Sequence, residues 1–260
     1  MSAVTLERRA AVLIITLDRP KANAIDLVTS RIMGQVFRAF RDDDSLRVAI
    51  LRAEGERLGL KPQFSILDSD DVVSILKDCG GTTDANTARQ WQWTISAWKN
   101  SGLNGAQAEA LAKNENERVA ARIMGRYEER LAAYQSVDFD DLIRLPVELF
   151  RTDEAARDRW QRKLRYLLLD EYQDTNTCQY EMVKLLVTGP GKKPMFTAVG
   201  DDDQAIYAWR GASMENLRTL QTDFPDLKLI KLEQNYRSST RILQAANAVI
   251  GNNPKLFEKA

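Results

Sequence analysis

Apolar and polar positions follow two spacings along the chain, one typical of buried strands and one typical of amphipathic helices. Residues Ala11–Leu17 form a short apolar run rich in β-branched side chains, which predicts a strand. Ile25–Phe40 then has apolar residues at helical spacing behind a candidate N-cap, Asp26. A second apolar run, Val48–Leu51, follows. The first part therefore predicts strand, helix, strand.

The middle of the chain, Asp68 to Tyr134, has helical periodicity in nearly every stretch. Asp68, Ser69 and Asp70 are candidate N-caps for a helix that runs to Lys77. Two more helices are indicated by apolar residues that share one face: Trp91, Ile95 and Trp98 in one, and Val119, Ile123, Tyr127 and Leu131 in the other. This pattern predicts a helical subdomain.

Strands and helices alternate again after Trp160. The predicted strands are Tyr166–Leu169, Phe196–Val199 and Leu227–Leu232. The predicted helices are Gln179–Leu186, Met214–Leu220 and Thr240–Ile250. Apolar strands separated by helices favour an α/β fold with a parallel sheet covered on both faces.

Composition narrows the class of protein. The 260 residues include 37 basic and 37 acidic side chains and 44% apolar residues, which is ordinary for a soluble chain of one large or two modest domains. The longest apolar run is far shorter than the ~20 residues that a membrane span needs. Because no charged-then-apolar signal segment opens the chain, we expect a cytoplasmic protein without a membrane partner.

Histidine is absent, and the two cysteines, Cys79 and Cys178, lie far apart. We therefore expect no disulfide partner and no Cys/His zinc site. Mechanisms that need an imidazole base are excluded. Any chemistry must use carboxylates, Arg, Lys or Tyr.

The sharpest motif is Arg165–Asn176 (RYLLLDEYQDTN), in which an apolar strand ends in Asp170 and Glu171. Ligands of parallel sheets bind at the carboxyl ends of the strands. A carboxylate pair at that place suits a hydrated Mg²⁺ and an oriented water. By itself, such a pair is more often simply a solvated strand end.

A second motif, Gly200–Ala212 (GDDDQAIYAWRGA), follows the next predicted strand. Its three aspartates stand beside Gln204 and Arg210 and would repel one another unless they are solvated or near cations. Tyr207 and Trp209 are large aromatic residues in a loop setting, suited to stacking on bases or to the core.

A third motif, Leu232–Ser239 (LEQNYRSS), follows the last predicted strand. It places Tyr236 beside Arg237, a pairing that suits base stacking and phosphate neutralisation. An ordinary surface arginine is the alternative.

In this order and at these distances, the three motifs resemble those of superfamily 1 DNA helicases of the Rep/UvrD type. The resemblance covers about Leu58–Glu258. Three further segments look like the helical insertion of that family: LGLKPQFSILDSDD (Leu58–Asp71), the WKN segment ending at Asn100, and VDFDDL (Val137–Leu142).

The resemblance implies ATP and Mg²⁺ as cofactors. Asp170 would bind the magnesium, and Glu171 would polarise the attacking water. Three side chains would contact or sense the γ-phosphate: Gln204, Arg210 and Arg237, the last also stabilising charge during the reaction. Tyr236 would stack on the adenine.

The resemblance further implies single-stranded DNA as a partner, bound weakly by this chain through Tyr207 and Trp209. The ancestral activity would be a 3′-to-5′ helicase of DNA replication or repair. However, no G-x-x-x-x-G-K-[ST] phosphate loop (Walker A) occurs in the sequence, and the nearest imitation, Gly191–Lys193, follows the acidic motif. We therefore expect the chain alone to be inactive, and whether another chain complements it stays open.

Residues Met1–Arg57 resemble a different family. LDRPKANA (Leu17–Ala24) and LRVAILRAEG (Leu46–Gly55) look like the amino terminus of enoyl-CoA hydratases, or crotonases. In that family Ala22–Ala24 would lie near coenzyme A, and the resemblance stops before the catalytic segments.

These observations predict a chimeric fragment with a junction near Glu56–Leu58. Its parts are a crotonase-like strand-helix-strand fragment (1–57), a helical insertion (58–145) and an incomplete parallel-sheet helicase motor domain (146–260). A helicase-derived fragment is the leading hypothesis. The alternatives are a non-enzymatic module that binds single-stranded DNA or a partner, and a crotonase-like acyl-CoA enzyme fragment.

Overall fold

A computed structural model of the chain describes residues 4–9, 12–17, 54–61, 63–164, 166–189, 191, 195–232 and 234–253. The chain divides into two compact units, Met1–Gly55 and Glu56–Ala260. The predicted helix Ile25–Phe40, with its N-cap Asp26, and the predicted strand Val48–Leu51 lie outside the described residues.

The described part of the first unit is a pair of antiparallel strands, β1 (Val4–Arg9) and β2 (Val12–Leu17). Val4 lies opposite Leu17, and Arg9 lies opposite Val12. Strand β2 confirms the strand predicted at Ala11–Leu17. Strand β1 was not predicted, because its charged end hides the alternation that marks a strand.

The second unit is mostly helical. Its helices are α1 (Ser69–Gly80), α2 (Ala85–Asn100), α3 (Gly105–Leu111), α4 (Glu115–Tyr134), α5 (Asp141–Thr152), α6 (Glu154–Lys163), α7 (Thr177–Val187), α8 (Glu215–Asp223) and α9 (Thr240–Ile250). Two short parallel pairs of strands accompany them: β3 (Ser65–Ile66) with β4 (Ser136–Val137), and β5 (Leu167–Leu169) with β6 (Phe196–Ala198). None of the helices in the described ranges is long and apolar enough to cross a membrane.

Helices α1 to α4 share one apolar core, as the periodicity of the middle segment predicted. The carboxylate of Asp68 accepts hydrogen bonds from the first turn of α1 and caps it, and the helix ends at Gly81, whose φ is 65°. Buried members of this core include Leu76, Ile95, Ile123, Met124, Tyr127 and Leu131, with Trp91 and Trp98 half-buried against them. Val119 lies one turn before Ile123 on the same helical face, but it is not part of this core, because its side chain is 37% exposed.

The second core lies under β5 and β6. Tyr172, Tyr180, Val183, Leu217, Leu220 and Phe224 are buried there, with Leu167, Leu169 and Phe196 packed against them. The strands run parallel, with Leu167 opposite Phe196, which confirms an incomplete parallel sheet. The prediction that both faces are covered was wrong, because Leu168 on the other face is 75% exposed.

The predicted strand Leu227–Leu232 does not form. The described backbone there is irregular, and Leu232 is 86% exposed. Helix α9 has the predicted bounds, yet none of its side chains is buried. Apolar alternation alone was a poor guide here because a strand also needs a neighbour for its hydrogen bonds.

Candidate functional site

The carboxyl ends of β5 and β6 lie side by side. The Val199 amide donates to the Leu169 carbonyl at 2.8 Å, and the Tyr172 amide donates to the Val199 carbonyl at 2.9 Å. Since parallel strands end at the same edge of a sheet, this ladder brings the acidic pair and the Gly200–Ala212 segment together. The first two sequence motifs therefore meet in the structure.

The acidic pair directly follows β5, and both carboxylates are exposed. Asp170 Oδ1 accepts a hydrogen bond from the Glu171 amide at 3.0 Å. Glu171 has φ 49° and ψ 44°, a left-handed conformation that is uncommon for residues other than glycine. Such a backbone persists where its surroundings fix it, and it occurs often at functional sites.

Gln173 connects the two motifs. Its side chain is almost completely buried; Nε2 donates to Glu171 Oε2 at 2.7 Å, and Oε1 accepts from the Asp201 amide at 3.0 Å. A Cβ at position 200 would lie 3.0 Å from Gln173 Oε1, so any residue other than glycine here would require the Gln173 side chain to shift. Sequence reasoning missed Gln173, because its only signal was its place beside the acidic pair.

The three aspartates at 201–203 form a tight acidic turn. Their carboxylate oxygens lie within 4.8 Å of one another. Asp201 also accepts from the Asp203 amide at 3.2 Å and from Gln204 Nε2 at 2.7 Å. These bonds place Gln204 beside the acidic edge, by which we mean the carboxylates of Asp170, Glu171 and Asp201–Asp203 at the ends of β5 and β6. The exposed carboxylate oxygens of Asp170 and Glu171 suit a hard, hydrated cation such as Mg²⁺.

Two exposed aromatic residues lie farther along the same segment. The Tyr207 side chain is 36% exposed and the Trp209 side chain 74% exposed, with ring centroids 6.3 Å apart at 51°. The core alternative for Trp209 is therefore wrong. The structure describes the backbone of Arg210 but not its side chain.

Tyr236 and Arg237 lie in a local turn. Asn235 Oδ1 accepts from the Arg237 and Ser238 amides at 2.9 Å each, and Tyr236 is 92% exposed. Within the described residues, the hydrogen bonds of this turn do not extend to Asp170 or Glu171. Their joining the acidic edge stays a prediction.

A buried ionic cluster lies in the helical part of the second unit, that is, in the helical insertion at 58–145. Lys99 Nζ lies 2.7 Å from Asp138 Oδ2 and 2.8 Å from Asp141 Oδ2. The Tyr127 hydroxyl donates to Asp138 Oδ2 at 2.9 Å, and Arg144 Nε donates to Asp141 Oδ1 at 3.0 Å. The WKN and VDFDDL segments are thus joined by the ion pairs of Lys99 with Asp138 and Asp141. Sequence reasoning grouped them but missed these residues, because lysine is seldom buried.

Burial and charge act against each other in this cluster. Burial lowers the pKa of Lys99, but Asp141 and Asp138 outweigh it, so the pKa lies above its usual value. Burial raises the pKa of Asp141, but Lys99 and Arg144 hold it below the usual range. Lys99 and Asp141 are therefore both charged at neutral pH.

Comparison with known proteins agrees with this geometry. A family model described as the UvrD/REP helicase N-terminal domain matches residues 43–225. The chain belongs to the UvrD/Rep helicase family. The ATP-dependent DNA helicase Rep of Salmonella typhimurium and that of Escherichia coli K12 are each 51% identical over 247 residues, or 94% of this chain. The ATP-dependent DNA helicase PcrA of Staphylococcus aureus is 38% identical over 213 residues, or 80% of the chain and 29% of PcrA.

The match covers only part of the length of the helicase relatives. The chain spans 34% of the length of the two Rep proteins. A second family model, Enoyl-CoA hydratase/isomerase, matches residues 7–58, as the crotonase resemblance predicted. The two models overlap at residues 43–58, a range that includes the predicted junction near Glu56–Leu58.

Proposed function

We propose that the second unit carries the magnesium side of a nucleotide site and part of the single-stranded DNA surface of an ATP-dependent 3′-to-5′ DNA helicase. The observation that carries this proposal is the bridge through Gln173, which joins Glu171 to the start of the segment that holds Tyr207 and Trp209. We propose that a movement of Glu171 at the acidic edge is passed through Gln173 and Asp201 to the segment that holds Tyr207 and Trp209.

On this proposal each side chain has a separate task. In the complete helicase, MgATP would supply the phosphoanhydride bond that is hydrolysed; this chain lacks a phosphate loop, so we expect it not to hydrolyse ATP alone. Asp170 holds the metal, and Glu171, oriented by Gln173, polarises a water. The γ-phosphate is contacted by side chains of the second and third motifs: Gln204, Arg210 and Arg237. Tyr236 stacks on the adenine.

The aromatic pair provides the DNA contact. Exposed rings stack on bases with little regard to sequence, each contact contributing about 1–3 kcal/mol. Formal net charge is zero, so few phosphates are neutralised and binding depends mainly on stacking. We therefore propose affinity for single-stranded DNA that is micromolar or weaker and falls with salt. We also propose a cytoplasmic setting, because the relatives are DNA helicases and their substrate is DNA.

Fluorescence anisotropy of a labelled oligothymidylate at low salt tests the proposal. Trp209→Ala should weaken binding at least about fivefold, the equivalent of 1 kcal/mol of lost stacking. Trp93→Ala is the matched control, because Trp93 is 68% exposed but lies on α2 in the helical part. Equal binding by the wild type and Trp209→Ala, with both folded by circular dichroism, would remove the aromatic pair from the DNA surface.

A further inference from the structure

The last residue of α2 joins three separate parts of the second unit. Asn100 Nδ2 donates to Asp140 Oδ1 and to Ser96 Oγ, each at 3.2 Å. Its Oδ1 accepts from Asn176 Nδ2 at 2.6 Å. A single amide thus connects α2, the segment before α5 and the end of the DEYQDTN motif, using its donor and its acceptor together.

Asn176 is itself a junction. Its Oδ1 caps α7 by accepting from the Gln179 amide at 2.8 Å, and its backbone forms an antiparallel bridge with Ala212. The Asn176 carbonyl accepts from Asn216 Nδ2 at 3.1 Å, and the neighbouring Ser213 amide donates to the Thr175 carbonyl at 3.0 Å. The end of the first motif and the end of the second are therefore held together at Asn176.

Gly211 brings the aromatic turn against the same point. It lies two residues after Trp209 with φ 89°, and a Cβ there would be 3.7 Å from Asn100 Cβ. The Gly211 amide donates to the Ala208 carbonyl at 2.9 Å, and the Ala212 amide donates to the Tyr207 carbonyl at 3.2 Å. The turn that exposes Trp209 thus passes close enough to Asn100 that any side chain at position 211 would contact it.

We propose that Asn100 is a positioning residue that fixes the Tyr207–Trp209 turn and the start of α7 against the helical part. Its side-chain amide links α2 to Asn176, and the backbone of Asn176 is bridged to Ala212 at the end of the turn. The positioning stands on these contacts, whereas its effect on DNA rests on the proposed function. On this proposal the helical insertion, the acidic edge and the Tyr207–Trp209 turn move together as one rigid body.

Hydrogen exchange of the full chain tests the positioning directly. Asn100→Ala should speed exchange of the Gly211, Ala212 and Ser213 amides by about tenfold or more, while the core of α4 keeps its wild-type rates. Asn86→Ala is the matched control, because Asn86 is an exposed residue in the first turn of the same helix. It should leave all these rates unchanged.

Asn100→Asp separates positioning from mere packing. The carboxylate keeps an acceptor for Asn176 but places a negative charge against Asp140. Exchange at 211–213, corrected for the intrinsic pH dependence of amide exchange, should therefore exceed that of the wild type at neutral pH and return toward it as the pH falls and one of the two carboxyls takes up a proton. A pH-independent difference would overturn the proposal.

Two results keep the proposals distinguishable. Unchanged exchange at 211–213 in Asn100→Ala overturns the positioning role, as does a uniform rise over the whole second unit. The expected exchange pattern in a chain whose wild type binds no oligothymidylate supports the positioning role and overturns only the proposed DNA surface. If both hold, Asn100→Ala should also weaken oligothymidylate binding about threefold or more.

Discussion

Lys99 Nζ lies 2.8 Å from Asp141 Oδ2, and the two side chains are only 0% and 2% exposed. Asp138, 8% exposed, accepts from the same ammonium at 2.7 Å. Removing two carboxylates from water costs several kcal/mol each, on the order of what a close cation returns. Stability of the helical part therefore depends on this one lysine staying in place.

Loss of that cation should be costly. Lys99→Met keeps much of the side-chain volume but leaves Asp138 and Asp141 buried with less compensating charge. We expect the free energy of unfolding to fall by about 3–5 kcal/mol, the usual cost of breaking a buried pair. Urea unfolding followed by circular dichroism measures it. Lys113→Met, at an exposed site, should change the same quantity by less than about 0.5 kcal/mol. Equal effects of the two variants would contradict the prediction.

Acid should release the same cluster. The pKa of Asp141 in the folded chain lies below its usual 3.8, since Lys99 and Arg144 outweigh burial. Its ionised form therefore stabilises the fold above about pH 4, and that contribution is lost as the pH falls through the folded-state pKa. Asp140 acts in the opposite sense, because burial raises its pKa.

The pH effect is checked with urea midpoints between about pH 3 and pH 6. The wild type should lose stability below about pH 4, and Asp141→Asn should lose clearly less over the same range. Parallel curves for the two proteins would show that Asp141 is not the group responsible.

ATP turnover gives a separate prediction. The purified 260-residue chain should release no phosphate above background with magnesium and single-stranded DNA, because its sequence contains no glycine-rich phosphate loop to hold the nucleotide against Asp170 and Glu171. A steady-state phosphate assay measures this, with Glu171→Gln as the paired variant. DNA-dependent release that disappears in Glu171→Gln would refute it.

The first unit should open before the second core. Strand β2 pairs with β1 in a two-stranded sheet, which is marginal in water by itself, whereas β5 packs on a buried core. Amides in Val12–Leu17 should exchange faster than those in Leu167–Leu169. Mass-spectrometric hydrogen exchange of the intact chain measures both segments at once. Equal protection in the two would mean that the first unit shares a common core with the rest of the chain.

Local signals explain which helices and strands were predictable. The N-cap of helix α1, Asp68, is the first of three predicted candidates, so the start of the helix was predicted to within two residues and its end to within three. Strands β5 and β6 were recognisable as apolar runs ending in acidic residues. The exposed face at Leu168 was not predictable, because coverage of a sheet depends on residues distant in the chain.

The site divides in the same way. Asp170, Glu171, Tyr207 and Trp209 stood out by residue type and by their place after strands. Gln173 and Asn100 are ordinary polar residues whose importance lies in one or two hydrogen bonds to distant segments. A sequence pattern carries no record of such pairings, since they depend on the folded arrangement of three separate segments.

Helix α9 bears on how the chain responds to proteases. It has 11 residues, none of them buried, whereas isolated helices shorter than about 12–15 residues are marginal in water. The second core ends at Phe224, with Leu227 packed against it. Within the second unit, brief trypsin or chymotrypsin treatment should therefore cut first between Leu229 and Val249 and leave a resistant product that ends near Leu227. The released peptide would contain Tyr236 and Arg237, whereas the resistant product would keep the acidic edge and Trp209.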